Sequence, residues 1–310
     1  MRVATIDIGT NTVLLLVAER RQDGLVVAVE EHATITRLGE GVDKTRTLSP
    51  AAIARTNACL DRYAEIIAHA NVARVSVVGT SAMRDAGGGD AVRDHVRTKL
   101  GVVARTISGD EEARLTFRGA LSGIAAYAGE QRAVVFDIGG GSTEVVCGAP
   151  QSHALSFAQS FDVGSVRLTE RHVRNDPPTD AELAAVRDAA SAAFASVPTF
   201  DTQRPPVGIA GTMTTLAAVS LAMETYDGAR VHGMTLTVDA LENVVRELAA
   251  VPLEKRKERT GLEPKRADVI VAGGYVALAF LRRIGANSVT ISDRGVRWGL
   301  AEELLNTGEG

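Results

Sequence analysis

Apolar and polar positions along this chain fall into alternating short strands and longer helical stretches. The run Val3-Ala4-Thr5-Ile6-Asp7-Ile8 breaks at Gly9-Thr10-Asn11-Thr12, resumes from Val13 to Val17, and turns at Asp23-Gly24 into Leu25 to Glu31. That pattern predicts consecutive antiparallel strands. Ser49-Pro50 then opens a helix with Ile53, Leu60, Ala64 and Ile67 on one face. Val75 to Val78 predicts a strand ending at Gly79-Thr80-Ser81-Ala82-Met83-Arg84. A helix from about Asp90 stops at Gly101, before a strand from Val102 to Ile107. Ser108-Gly109-Asp110-Glu111 has capping-box spacing, with the Ser108 hydroxyl and the Glu111 carboxylate each expected to satisfy a backbone donor at a helix start.

The second half repeats this plan. Strands are expected around residues 133, 143 and 154, and helices near Thr179-x-x-Glu182 and Asp239-x-x-Glu242. Val207 to Ala210 reads as a strand opening onto Gly211-Thr212-Met213-Thr214-Thr215 and an apolar helix. A helix N-terminus there suits a phosphate, and the same residues equally suit an ordinary tight turn with Thr212 as N-cap. Glu254 to Arg266 mixes six cations with three glutamates, the composition of a solvated helix face, with a polyanion track the secondary reading. Ala267 to Ile284 predicts a long buried helix stopped by Gly285, and Val296 to Leu305 an amphipathic terminal helix.

A length of 310 residues accommodates two domains, each with its own core. The aromatic content of 4% gives little support for base stacking, and a formal charge of −4 argues against long-range attraction of polyanions, so nucleic acid is not an expected partner. Any anionic ligand must instead be gripped by a local cluster. Cys59 and Cys147 have neither metal-binding nor disulfide spacing and read as buried thiols of a reducing cytosol. His32, His69, His95, His153, His172 and His232 lack the pairing of helical zinc ligands. The N-terminal strand is interrupted by Asp7, unlike a signal peptide, and the longest uncharged runs are too short or too rich in Gly and Thr to span a bilayer. No membrane partner and a cytoplasmic location are expected.

Candidate chemistry comes from a repeat. Asp7-Ile8-Gly9-Thr10-Asn11-Thr12 and Asp137-Ile138-Gly139-Gly140-Gly141-Ser142-Thr143-Glu144 each follow an apolar strand and lead into another. Turns with small side chains expose consecutive N–H groups that can converge on phosphate oxygens. Hydroxyl and amide groups of Thr10, Asn11, Thr12, Ser142 and Thr143 add donors, whereas a carboxylate at the strand end suits Mg²⁺ or its waters. No Walker loop occurs, and Gly139-x-Gly141 is followed by a strand where a dinucleotide fingerprint requires a helix. With Glu111 assigned to the cap, Glu112 points about 100° further around the helix and is the better candidate base, its plain alternative being a solvated helix residue.

These segments together resemble the exopolyphosphatase and guanosine pentaphosphate phosphatase family, a branch of the actin, sugar-kinase and heat-shock ATPase superfold. The resemblance runs through Asp7 to Thr12, Arg37-Leu38-Gly39-Glu40-Gly41-Val42, Thr80 to Arg84, Ser108 to Leu115, Asp137 to Glu144, Gly164-Ser165-Val166-Arg167-Leu168, Gly211-Thr212 and Arg266-Ala267-Asp268-Val269-Ile270. It implies an α/β fold of two ribonuclease-H-like domains flanking a cleft, here 1–125 and 126–295, with the terminal helix 296–310 joining the first. It also implies Glu112 as catalytic base and Arg84 as a phosphate ligand. Gly9 to Thr12 and Gly139 to Thr143 would cradle phosphates, with Gly211 and Thr212 facing another, while Asp7, Asp137 and Glu144 would hold Mg²⁺, or Mn²⁺ in its place. The implied reaction is hydrolysis of terminal orthophosphate from inorganic polyphosphate by a homodimer. Short chains are the expected substrates, because the extra C-terminal helical domains of longer relatives are not found here. Alternatives are the same chemistry on guanosine pentaphosphate, an ATP-dependent kinase, or a noncatalytic polyphosphate sensor. Thr10-Asn11-Thr12 departs from the serines of many relatives, keeping hydroxyls while adding methyls that would narrow the pocket.

Overall fold

The computed structural model describes residues 1–307 except Asp23, Ala128, Glu130 and His153, with only the backbone at Asp43 and Lys44. Asp23 of the expected first turn, His153, and residues 308–310 of the expected terminal segment therefore lie outside the described residues. The chain forms two compact units, Met1–Gly123 with the C-terminal segment from Gly295, and Ile124–Arg294.

In the first unit, β1 (Arg2–Ile8), β2 (Thr12–Arg20) and β3 (Val26–Ile35) form the antiparallel meander. The short helix α1 (Val42–Thr45) and the long helix α2 (Pro50–His69) follow. Ser49 caps α2 by accepting from the Ala52 N–H, and Pro50 occupies the first helical position, where its missing N–H costs nothing. β4 (Arg74–Gly79), α3 (Ser81–Asp85), α4 (Gly89–Leu100), β5 (Ala104–Thr106) and α5 (Gly109–Leu121) complete the run. The sheet order is β3-β2-β1-β4-β5, with β4 parallel to both β1 and β5. β3 continues four residues beyond the expected end at Glu31, because the ladder with β2 extends to Thr12↔Ile35. β5 is shorter than expected, since only Ala104 to Thr106 pair with β4.

The second unit contains β6 (Ala133–Ile138), β7 (Thr143–Gly148), β8 (Leu155–Phe161), α6 (Ser165–His172), α7 (Asp180–Ala193), β9 (Val207–Ile209) and α8 (Ala210–Ser220). It continues through α9 (Gly228–Val231), β10 (Thr235–Thr237), α10 (Val238–Ala249), α11 (Leu253–Lys257), α12 (Ile270–Arg283) and β11 (Ser288–Ile291). Within its sheet the order β8-β7-β6-β9-β11 repeats that of the first unit, strand for strand and with the same relative orientations, while β10 adds an antiparallel edge. These two mixed sheets with packed helices are the ribonuclease-H-like plan.

Several local expectations need correction. α8 starts at Ala210 directly after β9, so Ile209 is its N-cap and Thr212 lies inside the first turn. α10 is capped by Thr237, two residues before Asp239, because the Thr237 hydroxyl accepts from the Ala240 N–H. α7 does carry a full capping box between Thr179 and Glu182, but at α5 only half of one forms: Ser108 accepts from the Glu111 N–H while the Glu111 carboxylate pairs with Arg105. The Glu254 to Arg266 run is not wholly solvated, since Arg256 is buried and donates to the carbonyls of Leu248, Val251 and Ala267.

The terminal helix α13 (Val296–Asn306) belongs to the first unit. It was expected to be amphipathic, yet Val296 to Ala301 are all buried. The cause is a close helix crossing: a Cβ on Gly119 of α5 would lie 2.0 Å from the Gly295 carbonyl oxygen, and one on Gly299 2.2 Å from that of Leu115. On its other side α13 buries Trp298, Ala301 and Leu305 against Val3, Leu16 and Ala18. Two-residue alternation thus gives the first sheet two covered faces. Ala4, Ile6 and Ile8 face the α2 and α4 core, and Val3, Thr5 and Asp7 face α13. Among the described residues no helix is long and apolar enough to cross a membrane.

Candidate active site

Each unit carries one hairpin of the same construction. Ile8 pairs with Val13 and Ile138 with Thr143, so both hairpins close over four residues, Gly9 to Thr12 and Gly139 to Ser142. The first glycine is constrained alike in both: its N–H donates to the fourth residue's carbonyl, at 3.0 Å for Gly9 and 2.9 Å for Gly139. A Cβ there would press on that same oxygen at 2.9 and 3.1 Å.

The turn carbonyls point away from the open side. In the first hairpin, Thr10 O accepts from the Gly39 N–H and Asn11 O from the Thr36 and Arg37 N–H groups. In the second, Gly140 O accepts from Val166 and Arg167, and Gly141 O from Arg167 Nε at 2.6 Å. In a trans peptide the N–H points opposite to its C=O, so with these carbonyls tied back the N–H groups of Asn11, Thr12, Gly141 and Ser142 point the other way. Among the described residues the amides of Thr10, Asn11, Gly140 and Gly141 donate to no protein acceptor, and these residues are half-buried. Such oriented, unengaged N–H groups form an anion-binding concavity. Ser142 and Thr12 lie at the same position of the two turns, both half-buried.

Two expected hydroxyl donors are placed differently. Thr143 is fully buried and its hydroxyl donates to Val163 O at 2.6 Å; Thr212 is buried and donates to Ile138 O at 3.2 Å. Each has one hydroxyl hydrogen, so these side chains tie the hairpin to its unit and do not face a ligand. Gly211 sits beneath the Arg266 guanidinium, whose Cζ would be 2.1 Å from a Cβ at that position. Burial lowers the Arg266 pKa against the pull of Glu263 and Tyr226.

The strand-end carboxylates differ between units. Asp137 stands opposite Glu144, and Glu144 opposite Ser160, in one cross-strand row; Ser160 Oγ donates to Glu144 Oε1 at 2.7 Å. The corresponding row in the first unit is Asp7, Leu14, Ala33. Asp7 is buried, its Oδ1 accepts no hydrogen bond among the described residues, and burial pushes its pKa up to about 6, opposed by the positive charge of Arg297. Arg297, from α13, is itself buried and pairs with Glu31 at 2.8 Å. The donor set fits a hard cation: Mg²⁺ is usually held by one or two carboxylates plus substrate phosphates and water, and an orphaned buried carboxylate oxygen is unfavourable without a ligand. Among the described residues no three His, Cys, Asp or Glu side chains converge on one point, so no all-protein cage exists.

Arg84 and Glu112 are brought together within the first unit. Arg84 ends α3 and Glu112 lies in the first turn of α5, and the Arg84 Nη1 donates to Glu112 Oε2 at 3.1 Å and to Ile107 O at 3.0 Å. A carboxylate in a first helical turn is favoured in its charged form. The sequence reading missed Arg297 and Glu31 beside Asp7, Ser160 beside Glu144, and Asp85 beside Arg84. An arginine inside the apolar pattern Val296 to Leu305 was a usable signal for the first, and Asp85 follows Arg84 directly in the chain; Glu31 and Ser160 leave no local trace.

Comparison with known proteins agrees with this geometry. The chain is 38% identical to exopolyphosphatase 2 of Mycobacterium tuberculosis over 98% of both chains. It is 28% identical to a guanosine-5'-triphosphate,3'-diphosphate pyrophosphatase of Photobacterium profundum, over 98% of this chain and 59% of that one. The crystal structure of the Aquifex aeolicus member of the Ppx/GppA protein family superimposes with a TM-score of 0.85 at 32% identity, covering 100% of this chain and 99% of that one. The family model for Ppx/GppA phosphatases matches residues 16–307, and the chain belongs to the Ppx/GppA phosphatase family.

Proposed function

We propose that this protein is an exopolyphosphatase that hydrolyses terminal orthophosphate from inorganic polyphosphate. The observation that carries the reading is the pair of matching hairpins whose carbonyls are tied back and whose amides are left to a ligand. Phosphoryl oxygens are the ligand chemistry that each such hairpin fits. The 38% identity to a mycobacterial exopolyphosphatase supports the same substrate. Phosphoryl transfer proceeds through a loose transition state, so positioning and charge neutralisation supply most of the rate. The amides of Thr10, Asn11, Gly140 and Gly141 would hold phosphate oxygens, and the forked donors of Arg84 would clamp one group. Glu112 would accept a hydrogen of the attacking water.

Mg²⁺ is the proposed counter-cation, with Mn²⁺ the substitute: Asp7 in the first unit, and Asp137 with Glu144 in the second, are the carboxylates that would hold such an ion through water and substrate phosphates. When bound it would neutralise charge on the leaving phosphate. A homodimer in the cytoplasm remains part of the proposal, supported by the family resemblance.

The test is orthophosphate release by the purified chain from short polyphosphate, with and without Mg²⁺. Release that needs the cation supports the reading. Hydrolysis of guanosine pentaphosphate is the second reading, favoured by the Photobacterium relative. Selective release from the nucleotide would reverse the order. Retention of polyphosphate without turnover would indicate a sensor, and ATP-dependent labelling of an acceptor a kinase.

A further inference from the structure

The reading above gives Arg84 to a phosphate and Glu112 to water, yet in this structure the two hold each other. Both hydrogens of Arg84 Nη1 are in use, one on Ile107 O at 3.0 Å and one on Glu112 Oε2 at 3.1 Å. Nε faces Asp85 Oδ1 at 3.4 Å, and Asp85 Oδ2 accepts from Ser81 Oγ at 3.0 Å. Ser81 and Asp85 are i and i+4 on α3, so they share one helix face. The side chains of Arg84 and Glu112 are 33% and 21% exposed, accessible enough for a ligand to reach them.

A guanidinium has five N–H donors in a fixed plane. It cannot turn toward a phosphoryl oxygen without moving Nη1 relative to Glu112. A carboxylate one residue from a phosphate ligand also opposes anion binding by charge alone, so Asp85 makes sense there as an anchor.

Resting on the polyphosphatase reading, we propose that Arg84 is a transferable cap on Glu112. Without substrate, Arg84 holds the Glu112 carboxylate. A phosphoryl oxygen that accepts from the same guanidinium displaces Glu112, leaving its oxygen to accept a hydrogen of the attacking water. Asp85, held by Ser81, is the positioning residue that keeps Nε in place during the exchange. Occupancy of the site and exposure of the base are thereby one event.

The test is a double-mutant cycle read by binding, using triphosphate as the probe in metal-free buffer with the full-length chain. Removing the competing acceptor in Glu112→Ala should tighten triphosphate binding about threefold to fivefold, the worth of a partly exposed ion pair. In the Arg84→Gln background the same change should leave affinity unaltered. An equal gain in both backgrounds overturns the proposal, since it would reflect only the lost negative charge, and so does no gain with Arg84 present. Melting curves of all four proteins establish that each is folded.

The anchor is tested by Asp85→Ala, which should lower kcat for orthophosphate release about fivefold without raising KM, and by Asp85→Glu, which keeps a carboxylate for Nε and should restore most of it. An unchanged kcat in Asp85→Ala removes the positioning role. If the unmodified chain binds triphosphate with the expected cycle but releases no orthophosphate, the functional reading fails while the cap stands. If it binds no triphosphate, both fall.

Discussion

The two hairpins share one backbone and differ in what surrounds it. Gly9 to Thr12 and Gly139 to Ser142 close over the same number of residues, with the same glycine bond and the same tied-back carbonyls. Beneath them the rows diverge, Asp7-Leu14-Ala33 in the first unit and Asp137-Glu144-Ser160 in the second. One aspartate is buried on an apolar row, its pKa raised by burial against the pull of Arg297; the other is half-buried and faces a second carboxylate. A duplicated turn can therefore keep its backbone while the carboxylates beneath it diverge, because backbone geometry depends on the turn and carboxylate behaviour on burial.

The largest test places the base in the first unit only. Glu112→Gln should reduce orthophosphate release by about two to four orders of magnitude, in line with loss of a positioned base, as followed by a phosphate-release assay. Undiminished turnover would leave the second unit to supply the base.

Asp7 tests the burial difference. Its folded pKa of about 6 exceeds the ordinary aspartate value of 3.8, taken for the unfolded chain. The folded state therefore holds its proton more tightly, and the stability this lends is fully present below pH 3.8 and lost as pH rises through about 6. The loss amounts to about 3 kcal/mol, at 1.36 kcal/mol per unit. Asp7→Asn should abolish that part of the pH dependence, measured by urea unfolding between pH 4 and 7, and should melt higher than the unmodified chain at pH 7. An unaltered pH dependence would erase the contrast.

The strap glycines separate rigid from yielding contacts. A Cβ on Gly164 would lie 2.5 Å from the Gly140 carbonyl oxygen, whereas one on Gly39 would meet the Thr10 Cγ2 at 2.3 Å. A backbone atom cannot step aside and a threonine methyl can rotate. Gly164→Ala should cost about 1–3 kcal/mol by thermal unfolding, and Gly39→Ala less than half of that.

The smallest effect belongs to Ser160. Ser160→Ala removes the hydrogen bond to Glu144 Oε1, and affinity for Mn²⁺, followed by paramagnetic resonance, should fall about twofold to tenfold. Ala33→Ser on the first row should leave it unchanged.

Much of this arrangement was legible in the chain itself. Asp7 and Asp137 each stand two residues before a glycine at the end of an apolar run, so both hairpins and their strand-end aspartates follow from a handful of adjacent residues. Ser108 as a cap likewise needs only its own helix start. Where reasoning from neighbours failed, a distant segment had intervened. Glu111 was drawn to Arg105 and not to the Ser108 N–H, Thr143 and Thr212 turned their hydroxyls inward to Val163 and Ile138, and Arg256 was buried by three carbonyls that a charge pattern does not reveal.

The sequence by itself determined the antiparallel strands that open each repeat, the twin turns, and which face of each strand bears its aspartate, because period-two alternation and turn chemistry act over a few residues. Only the tertiary structure decided that Arg297 of the last helix stands near Asp7, that Arg84 meets Glu112 across 28 positions, and that Asp7 is orphaned while Glu144 is held. Those outcomes rest on burial and on contacts between remote segments, and desolvation and charge pairing have no local signature in the order of residues.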